Sequence, residues 1–408
     1  MIQRYKNDDR YYLKGYKIEI FPDEIQREYI ERSFIVARYV YNWALGKENE
    51  QYKLYEDGLV DKKEKFLSAY TLHRMYTEFR KDKPFLEAFP YEAARIVIND
   101  VIYAFESFWS FKNRYPRYKT KKYSENSFPV RSDRVYFEDN MLRIEGLKRR
   151  TGKIFTNYHT HEHKSDNVKY YNTRITKDKL GHYWFSFKKR ELKPLTYFSD
   201  NNIQVSEPIG IDLNANPTIV LSNGTIYDRP NCDKINKRIK RCRRKINKDF
   251  KHLKKLQEES EKTNSIFEIL PSKNAIKRLN KYRKACKKKA DMIENFVETS
   301  TTKIVKSHPA KIVIEDLSVK EMERNHTVAK RVRDSNIYSI IEALKQKSDI
   351  YGIEIIVANK YYPSSQLCSC CGARKKMGSQ STYICPQCGN IMDRHLNAAK
   401  NLAKLAYI

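Results

Sequence analysis

The chain has 408 residues, room for two to four domains of ~100–200 residues each, and its 80 Lys and Arg against 50 Asp and Glu leave a formal net charge of +30. Apolar residues make up 40%, which excludes wholesale disorder, and no run approaches the ~18 consecutive apolar residues of a membrane span. Eight cysteines are too few for a disulfide scaffold in so long a chain, and their clustering points to metal.

The opening MIQRYKNDDRYYLKGYKIEIF lacks the apolar stretch of a secretory signal, and residues 14–21 within it alternate as a strand. From Asp23 to about Tyr52, apolar residues such as Ile30, Phe34, Ala37, Tyr41 and Ala44 recur at helical spacing. Two more helices are expected at about Leu67–Arg80 and Tyr91–Lys112, the second with a broad apolar face from Ile96 to Trp109. RYPRYKTKKYS (114–124) is then basic and aromatic, and strand-like runs follow at Arg134–Phe137, Met141–Ile144, Asn167–Ile175 and His182–Phe187. This half reads as a helical insert between β segments that pair around it.

A second unit begins near Gln204. Ile209–Leu213 is an apolar strand, NANP a tight turn, Thr218–Leu221 a second strand, and SNG a turn into a third. Lys234 to His308 is helical and basic, broken near Pro271. Ala310–Asp316 is a strand ending in carboxylates, Asn336–Tyr351 an amphipathic helix and Ile353–Ala358 another strand. A last helix runs from about Asp393 to Leu405.

Cys368 and Cys371, then Cys385 and Cys388, form two CxxC knuckles. Each presents two thiolates from one tight turn, and the pair completes a tetrahedral S₄ set suited to Zn²⁺. Gly372 and Gly389 each follow the second cysteine, where a knuckle often needs positive φ. With no open coordination position such a zinc is structural. Cys370 competes with Cys371 as ligand, but the CxxC spacing favours Cys371; Cys232, Cys242 and Cys286 are scattered and incidental.

Three carboxylates stand at element ends: Asp212 in Gly-Ile-Asp-Leu-Asn, Glu315 in Ile-Val-Ile-Glu-Asp, and Asp393 opening the last helix. Each alone has a plain explanation as a turn opener, a strand cap and an N-cap. Their order, a strand and hairpin, a strand ending in Glu, then a helix starting with Asp, is that of the RNase H-like sheet, where acidic groups converge on two Mg²⁺ ions. Phosphodiester hydrolysis calls for such a site, because two metals ~3.5–4 Å apart stabilise the transition state and activate water. Hard Mg²⁺ takes oxygen ligands.

At this point a resemblance appears over nearly the whole chain. GIDLNANPTIVLSNG, IVIEDLS and DRHLNAAKNL, with YYPSSQLCSCCG ahead of the first knuckle, resemble the TnpB family of transposon-associated RNA-guided nucleases and the miniature type V CRISPR effectors. VARYVYNWAL and FWSFKNRYPRYKTKK resemble that family's recognition and wedge regions. The resemblance implies a multidomain α+β chain. A β-rich wedge-like domain would span 1–22 and 114–203, and a helical recognition domain 23–113. An RNase H-like (RuvC) nuclease would span 204–362 and 390–408, with a zinc ribbon at 363–389. It also implies that Asp212, Glu315 and Asp393 ligate two Mg²⁺ ions, that guide RNA and double-stranded target DNA are the partners, and that the setting is the prokaryotic cytoplasm and nucleoid.

Asp316 rivals Glu315, and strand alternation alone does not separate them, since both faces are apolar upstream; Glu315 matches the family's glutamate. The Leu-Asn-Ala-Asn-Pro after Asp212 departs from the Gly-Val-Lys type commoner in the family. The chain closes soon after Asp393, without the tail some relatives carry. Arg394 is a candidate phosphate contact, and Asn397 and Asn401 share a helix face suited to pinning the metal-bearing segment.

A surplus of 30 positive charges repels itself unless a polyanion neutralises it. An AT-rich genome inflates Lys and Tyr, but it does not explain the clusters. Arg114, Arg117, Lys119, Lys121 and Lys122, interleaved with Tyr115, Tyr118 and Tyr123, suit phosphate pairing and base stacking. Residues 234–289 suit a heteroduplex or guide scaffold by charge. Tyr91, Arg95, Arg131 and Ser132 lie near family positions that read a target-adjacent motif, and the HTHEH run at 159–163 reads as a solvated β face rather than a metal stretch. The leading expectation is an RNA-guided DNA endonuclease with one active site cutting both strands in turn. A cleavage-poor RNA-guided repressor is the alternative, favoured only by the altered turn after Asp212. A guide-independent nuclease is disfavoured by the basic helical insert, because a bare nuclease core needs only ~150 residues.

Overall fold

A computed structural model describes residues 10–110, 113–121, 124–144, 152–158, 168–193, 206–214, 218–262, 271–317, 336–378 and 380–407. Lys122, Tyr123, the histidine run 159–163 and the turn residues Ala215 and Asn216 lie outside them. The chain divides into two units, Met1–Glu191 and Leu192–Ile408. Among the described residues no helix is long and apolar enough to cross a membrane.

In the first unit, strand β1 (Tyr11–Phe21) leads into helix α1 (Glu24–Glu56). The start of α1 is set by a capping box: Gln26 N–H donates to Asp23 Oδ1 at 2.8 Å, and the Asp23 N–H donates to Gln26 Oε1 at 3.0 Å. Helices α2 (Ala69–Arg80), α3 (Pro84–Glu87) and α4 (Tyr91–Trp109) follow. The later strands are β2 (Asn126–Pro129), β3 (Tyr136–Glu138), β4 (Met141–Arg143), β5 (Lys153–Thr156), β6 (Tyr170–Lys177) and β7 (Tyr183–Leu192). They join β1 in a seven-stranded sheet of order β2-β6-β7-β1-β5-β4-β3. Helices and sheet share one core, in which Phe34 of α1 and Phe89 pack on Phe128 of β2. Strands β2 and β5 go beyond the sequence expectation. Each is four residues long, and β2 contains a proline that its position at the sheet edge tolerates.

The second unit contains β8 (Ile209–Leu213), β9 (Ile219–Leu221), β10 (Ile226–Tyr227), α5 (Asp233–Lys262), α6 (Lys273–Lys306), β11 (Lys311–Glu315), α7 (Ile337–Tyr351), β12 (Glu354–Ala358), β13 (Thr382–Ile384), β14 (Ile391–Asp393) and α8 (Arg394–Lys404). Its five-stranded sheet has the order β10-β9-β8-β11-β12. The hairpin strands β8, β9 and β10 pair antiparallel, whereas β8–β11 and β11–β12 are parallel. That division follows from the connections: tight turns make hairpins, and parallel neighbours need crossovers, supplied here by α5–α6 and by α7.

Strand alternation sorts this sheet into two faces. Ile209, Ile211, Leu213, Ile312 and Ile314 pack with Val297 and Ile304 of α6 and Ile340 and Leu344 of α7. Gly210, Asp212, Val313 and Glu315 occupy the alternate positions, and α8 covers that face through Leu402. A Cβ on Gly210 would stand 2.0 Å from the Ala399 carbonyl oxygen and 2.4 Å from the Ala403 nitrogen. Only glycine lets the helix backbone lie on the strand here, and this close seat carries the start of α8 to Asp212.

Candidate functional site

Parallel register pairs Ile314 with Ile211, so the next residues, Glu315 and Asp212, are neighbours on adjacent strands ~4.8 Å apart. Both have the parity of the α8 face. Asp316, the rival to Glu315, has the opposite parity and is exposed. Asp212 is 6% exposed. Its Oδ2 accepts from Asn214 Nδ2 at 2.6 Å and lies 2.9 Å from His395 Nδ1. Hydrogen bonding to Asp212 raises the His395 pKa above its usual value against the opposing effect of burial, and the charges of Asp212 and Asp393 add to it. The Ser364 hydroxyl is hydrogen-bonded to Glu315 Oε1. Burial pushes the Glu315 carboxyl above the usual carboxylate range; the Ser364 bond opposes this, the Asp212 charge reinforces it, and Arg394 moderates it.

Asp393 stands at the junction of β14 and α8. Its Oδ1 caps the helix, accepting from the N–H groups of His395 (2.8 Å) and Leu396 (3.1 Å). Asp393 also pairs with Thr382 of β13, so the third carboxylate is carried by the hairpin of the cysteine module. Arg394, expected at a phosphate, donates from Nη1 to the Gly378 carbonyl at 2.7 Å. The first turn of α8 lies against that hairpin, as the Arg394 N–H to Ser381 carbonyl bond of 2.8 Å also records. Carboxylates suit a hard cation; Asp212 and Glu315 share one face of the sheet, and Asp393 stands at the start of the helix that covers it. The three carboxylates do not, however, all lie within 4.8 Å of one another, whereas the four cysteine sulfurs do.

In the cysteine cluster, Cys368 and Cys388 sulfurs are 3.6 Å apart and those of Cys371 and Cys385 3.5 Å. Tetrahedral zinc with Zn–S of ~2.3 Å sets its ligand atoms ~3.8 Å apart, so the set fits that ion. Cys370 is exposed and outside the group. Gly372 (φ 78°) and Gly389 (φ 71°) take the left-handed conformation that closes each knuckle. Burial alone would raise the Cys368 thiol; the N–H groups of Cys371 and Cys370 and the neighbouring sulfurs outweigh it and bring it down to about 6.

Asn397 and Asn401, both buried, pin the lead-in to the first knuckle. Asn397 Nδ2 donates to the Leu367 carbonyl at 2.6 Å, and its Oδ1 accepts from Ser369 N–H at 2.8 Å. Asn401 Nδ2 donates to the carbonyls of Ser364 (2.8 Å) and Leu367 (2.7 Å).

In the first unit, the basic aromatic loop is strapped to α1. Asn42 exchanges two hydrogen bonds with the Lys119 backbone (2.7 and 2.9 Å), and Asn49 holds the hydroxyls of Tyr115 (2.8 Å) and Tyr118 (3.2 Å). Arg114, Arg117, Tyr118 and Lys121 are exposed, while the Lys119 ammonium sits 3.7 Å from the centre of the Tyr41 ring and burial lowers its pKa. Tyr91 shares a hydrogen bond with Thr77 (2.7 Å), and Arg95 and Arg131 pair with Glu92 (3.2 Å) and Asp133 (2.7 Å). A phosphate at either arginine would compete with a carboxylate already in place. In the second unit, Lys237, Arg238, Lys240, Arg241, Arg243 and Arg244 of α5 are exposed, and a bidentate Arg278–Asp249 pair (2.7 Å for both bonds) ties α5 to α6.

Sequence reasoning passed over Ser364 and His395. YYPSSQLCSCCG and DRHLNAAKNL contain them, but their acid partners lie 49 and 183 positions away.

A family model for the Cas12f1-like TNB domain matches residues 338–402, and a helix-turn-helix domain model of the IS605 OrfB type matches residues 12–57. In the structure the latter stretch is β1 followed by the single helix α1. A Streptomyces pristinaespiralis protein whose name provisionally assigns it as an RNA-guided DNA endonuclease is 22% identical over 403 residues, 95% of this chain and 88% of that one. TnpB-like protein L79 of Acanthamoeba polyphaga mimivirus is 30% identical over 156 residues, 36% of this chain and 29% of that protein. The fold resembles that in the Cas12f1–sgRNA–target DNA complex solved by cryo-electron microscopy, with a TM-score of 0.56 at 13% identity, covering 97% of this chain and 99% of that one. In its motifs, its two domain models and its near full-length relative, the chain is similar to the TnpB-like proteins and the miniature type V effectors.

Proposed function

We propose that the chain is an RNA-guided DNA endonuclease that uses a guide RNA to recognise duplex DNA beside a short flanking motif and hydrolyses it at one RuvC-type site. The observation that carries the nuclease reading is the register of β8 and β11, which makes Asp212 and Glu315 neighbours on the face that α8 caps with Asp393. The name of the near full-length relative and the charge of +30 support the guided reading. Base pairing would select the target, with the protein gripping backbone and shape.

In this reading Asp212, Glu315 and Asp393 hold two Mg²⁺ ions, which when bound neutralise the scissile phosphate and supply an activated water. The chain's own part is orientation. Asn214 and His395 fix the Asp212 carboxylate, Ser364 fixes one oxygen of Glu315, and the helix cap fixes Asp393. Cys368, Cys371, Cys385 and Cys388 hold a structural zinc, and residues 363–389 form a target-binding ribbon. Segments 1–22 and 114–203 act as the wedge and 23–113 as the recognition helices. Exposed Arg114, Arg117, Tyr118 and Lys121 take phosphates and bases, and α5 and α6 follow the guide or its heteroduplex. The work is done in the cytoplasm, on nucleoid DNA.

One observation favours the second reading, an RNA-guided repressor with weak cleavage: Asn214, in the turn that departs from the family pattern, bonds the Asp212 carboxylate directly through Nδ2. A single experiment separates them. The RNA that co-purifies with the chain is sequenced, its guide portion is replaced, and a matched duplex is offered with Mg²⁺ and with EDTA. Cleavage that follows the new guide and stops in EDTA supports the endonuclease; guided binding without cleavage supports the repressor; indifference to the guide defeats both.

A further inference from the structure

We propose that Ser364 is a positioning residue for the carboxylate site, through which the cysteine module holds Glu315 in register with Asp212. This rests on the assignment of Asp212, Glu315 and Asp393 as the metal-binding acids.

Ser364 is 4% exposed, and its hydroxyl is hydrogen-bonded to Glu315 Oε1. Glu315 ends its strand and carries three side-chain torsions, so an unheld carboxylate would sweep a wide arc. A hydroxyl on one oxygen restricts that arc and leaves Oε2 for a cation. Ser364 can do this because its own backbone is fixed. Asn401 Nδ2 donates to its carbonyl, its N–H donates to the Tyr362 carbonyl at 2.9 Å, and the Tyr362 hydroxyl donates to the Asn401 carbonyl at 3.2 Å. Four residues on is Cys368, whose N–H donates to the Ala373 carbonyl at 2.9 Å within the first knuckle.

The same module reaches the site from the other side. Thr382 of β13 pairs with Asp393, and the Ser381 carbonyl receives the Arg394 N–H. The module therefore grips two of the three acids, Glu315 by a side-chain hydroxyl and Asp393 by backbone pairing. Asp212 is held outside the module, by Asn214 and by His395 of α8. Groups that orient metal ligands commonly govern metal affinity by ~10–100-fold without touching the ion. Ser364 has the burial, the anchoring and the single aimed hydroxyl of such a group.

The test uses the full chain with its guide RNA, comparing Ser364→Ala, Ser364→Gly, Ser364→Thr and Glu315→Gln. Mn²⁺ binding is measured by calorimetry, with Asp212→Asn as the background. Zinc per chain and the melting temperature are measured alongside, and single-turnover cleavage is followed against Mg²⁺ concentration. Both Ser364→Ala and Ser364→Gly are expected to weaken Mn²⁺ binding about tenfold and to raise the Mg²⁺ needed for half-maximal rate by a similar factor. The rate at saturating Mg²⁺ should recover to within about twofold, zinc content should stay as in the parent, and Ser364→Thr should restore the affinity. Unchanged Mn²⁺ binding in the two hydroxyl-free variants, with Glu315→Gln weakened, would overturn the role of Ser364 alone. Loss of zinc or of melting temperature in step with Mn²⁺ affinity would assign Ser364 to the fold instead. Unchanged Mn²⁺ binding in Glu315→Gln would remove the carboxylate assignment itself.

Discussion

The second unit holds four cysteines and three carboxylates at element ends, and the two sets are built on opposite plans. The four thiols come from two short knuckles whose local backbone, with left-handed Gly372 and Gly389 and N–H groups aimed at sulfur, brings every ligand atom within 4.8 Å of the rest. The carboxylates come from β8, β11 and the β14–α8 junction, and their oxygens stay further apart. Each is held by a protein donor: Asn214 and His395 on Asp212, Ser364 on Glu315, the helix cap on Asp393. A closed structural site can be preassembled by its own backbone. Carboxylates drawn from separate elements repel one another, and each is oriented by a donor of its own.

The sharpest way to break this contrast is to damage one cluster and look for damage in the other. Asp212→Asn keeps the shape and most hydrogen bonds of the strand end but removes the charge. Guided cleavage should fall by about 10³-fold or more, equivalent to ~4 kcal/mol of transition-state stabilisation. Zinc content and DNA binding should not change. A variant that still cuts at the parental rate removes Asp212 from the chemistry.

Cys385→Ser is the reciprocal experiment. Cys385 is buried beside Tyr383 and Cys368, and a missing thiolate leaves three ligands where structural zinc takes four. Zinc per chain should drop, and the chain should melt earlier by an amount corresponding to several kcal/mol. Cleavage should also fall, because Asp393 pairs with Thr382 in the same hairpin. The Asp212 variant thus affects one property and the Cys385 variant three. Normal zinc binding with parental melting in Cys385→Ser would show that Cys385 is not needed to hold the metal.

How much of this was legible beforehand differs between the clusters for the same reason. The cysteine set is written locally, in spacing, and the structure adds only distances. The acids could be named individually at strand and helix ends, and their convergence was expected from element order, but what holds them could not be read. Ser364 and His395 are ordinary polar residues until β11 and α8 deliver partners 49 and 183 positions distant. Asn397 and Asn401 were legible as a pair because four-residue spacing on a helix defines a face without tertiary knowledge. The fold follows the same rule. α1 could be read from Asp23 onward by its capping and periodicity, whereas β2 and β5, four residues each, owe their conformation to neighbours across the sheet. Arg394, a candidate phosphate contact by its position beside Asp393, also bonds the Gly378 carbonyl through Nη1, a partner that position alone does not reveal.

Asn401→Ala probes the join between the clusters. It leaves the buried Ser364 carbonyl and the half-buried Leu367 carbonyl short of a donor, at ~1–3 kcal/mol for a fully unsatisfied buried group. A loss of about 2–4 kcal/mol in chemical denaturation is expected, with a smaller fall in cleavage than Asp212→Asn produces. Leu367 keeps the donor from Asn397, which sets the lower end of that range. Parental stability would mean that α8 does not pin the lead-in to the knuckle.

The smallest effect tests what burial alone does to a carboxyl with no cation to offset it. Glu48 of α1 is 1% exposed, accepts the Leu67 N–H at 3.1 Å, and burial lifts its pKa from 4.5 to about 7, with that hydrogen bond opposing the rise. Below pH 4.5 both the folded and the unfolded chain hold this proton. Between pH 4.5 and 7 the unfolded chain gives it up first, so stability contributed by the neutral carboxyl is lost as pH rises through that window. Above pH 7 the deficit is constant, at most about 3 kcal/mol for a shift of this size. Glu48→Gln keeps an acceptor for Leu67 and removes the titration. It should therefore melt above the parent at pH 8, by a margin worth ~1–3 kcal/mol, and the margin should shrink towards zero as pH falls to 4.5. An equal margin at both ends of the window would mean that Glu48 is ionised when folded.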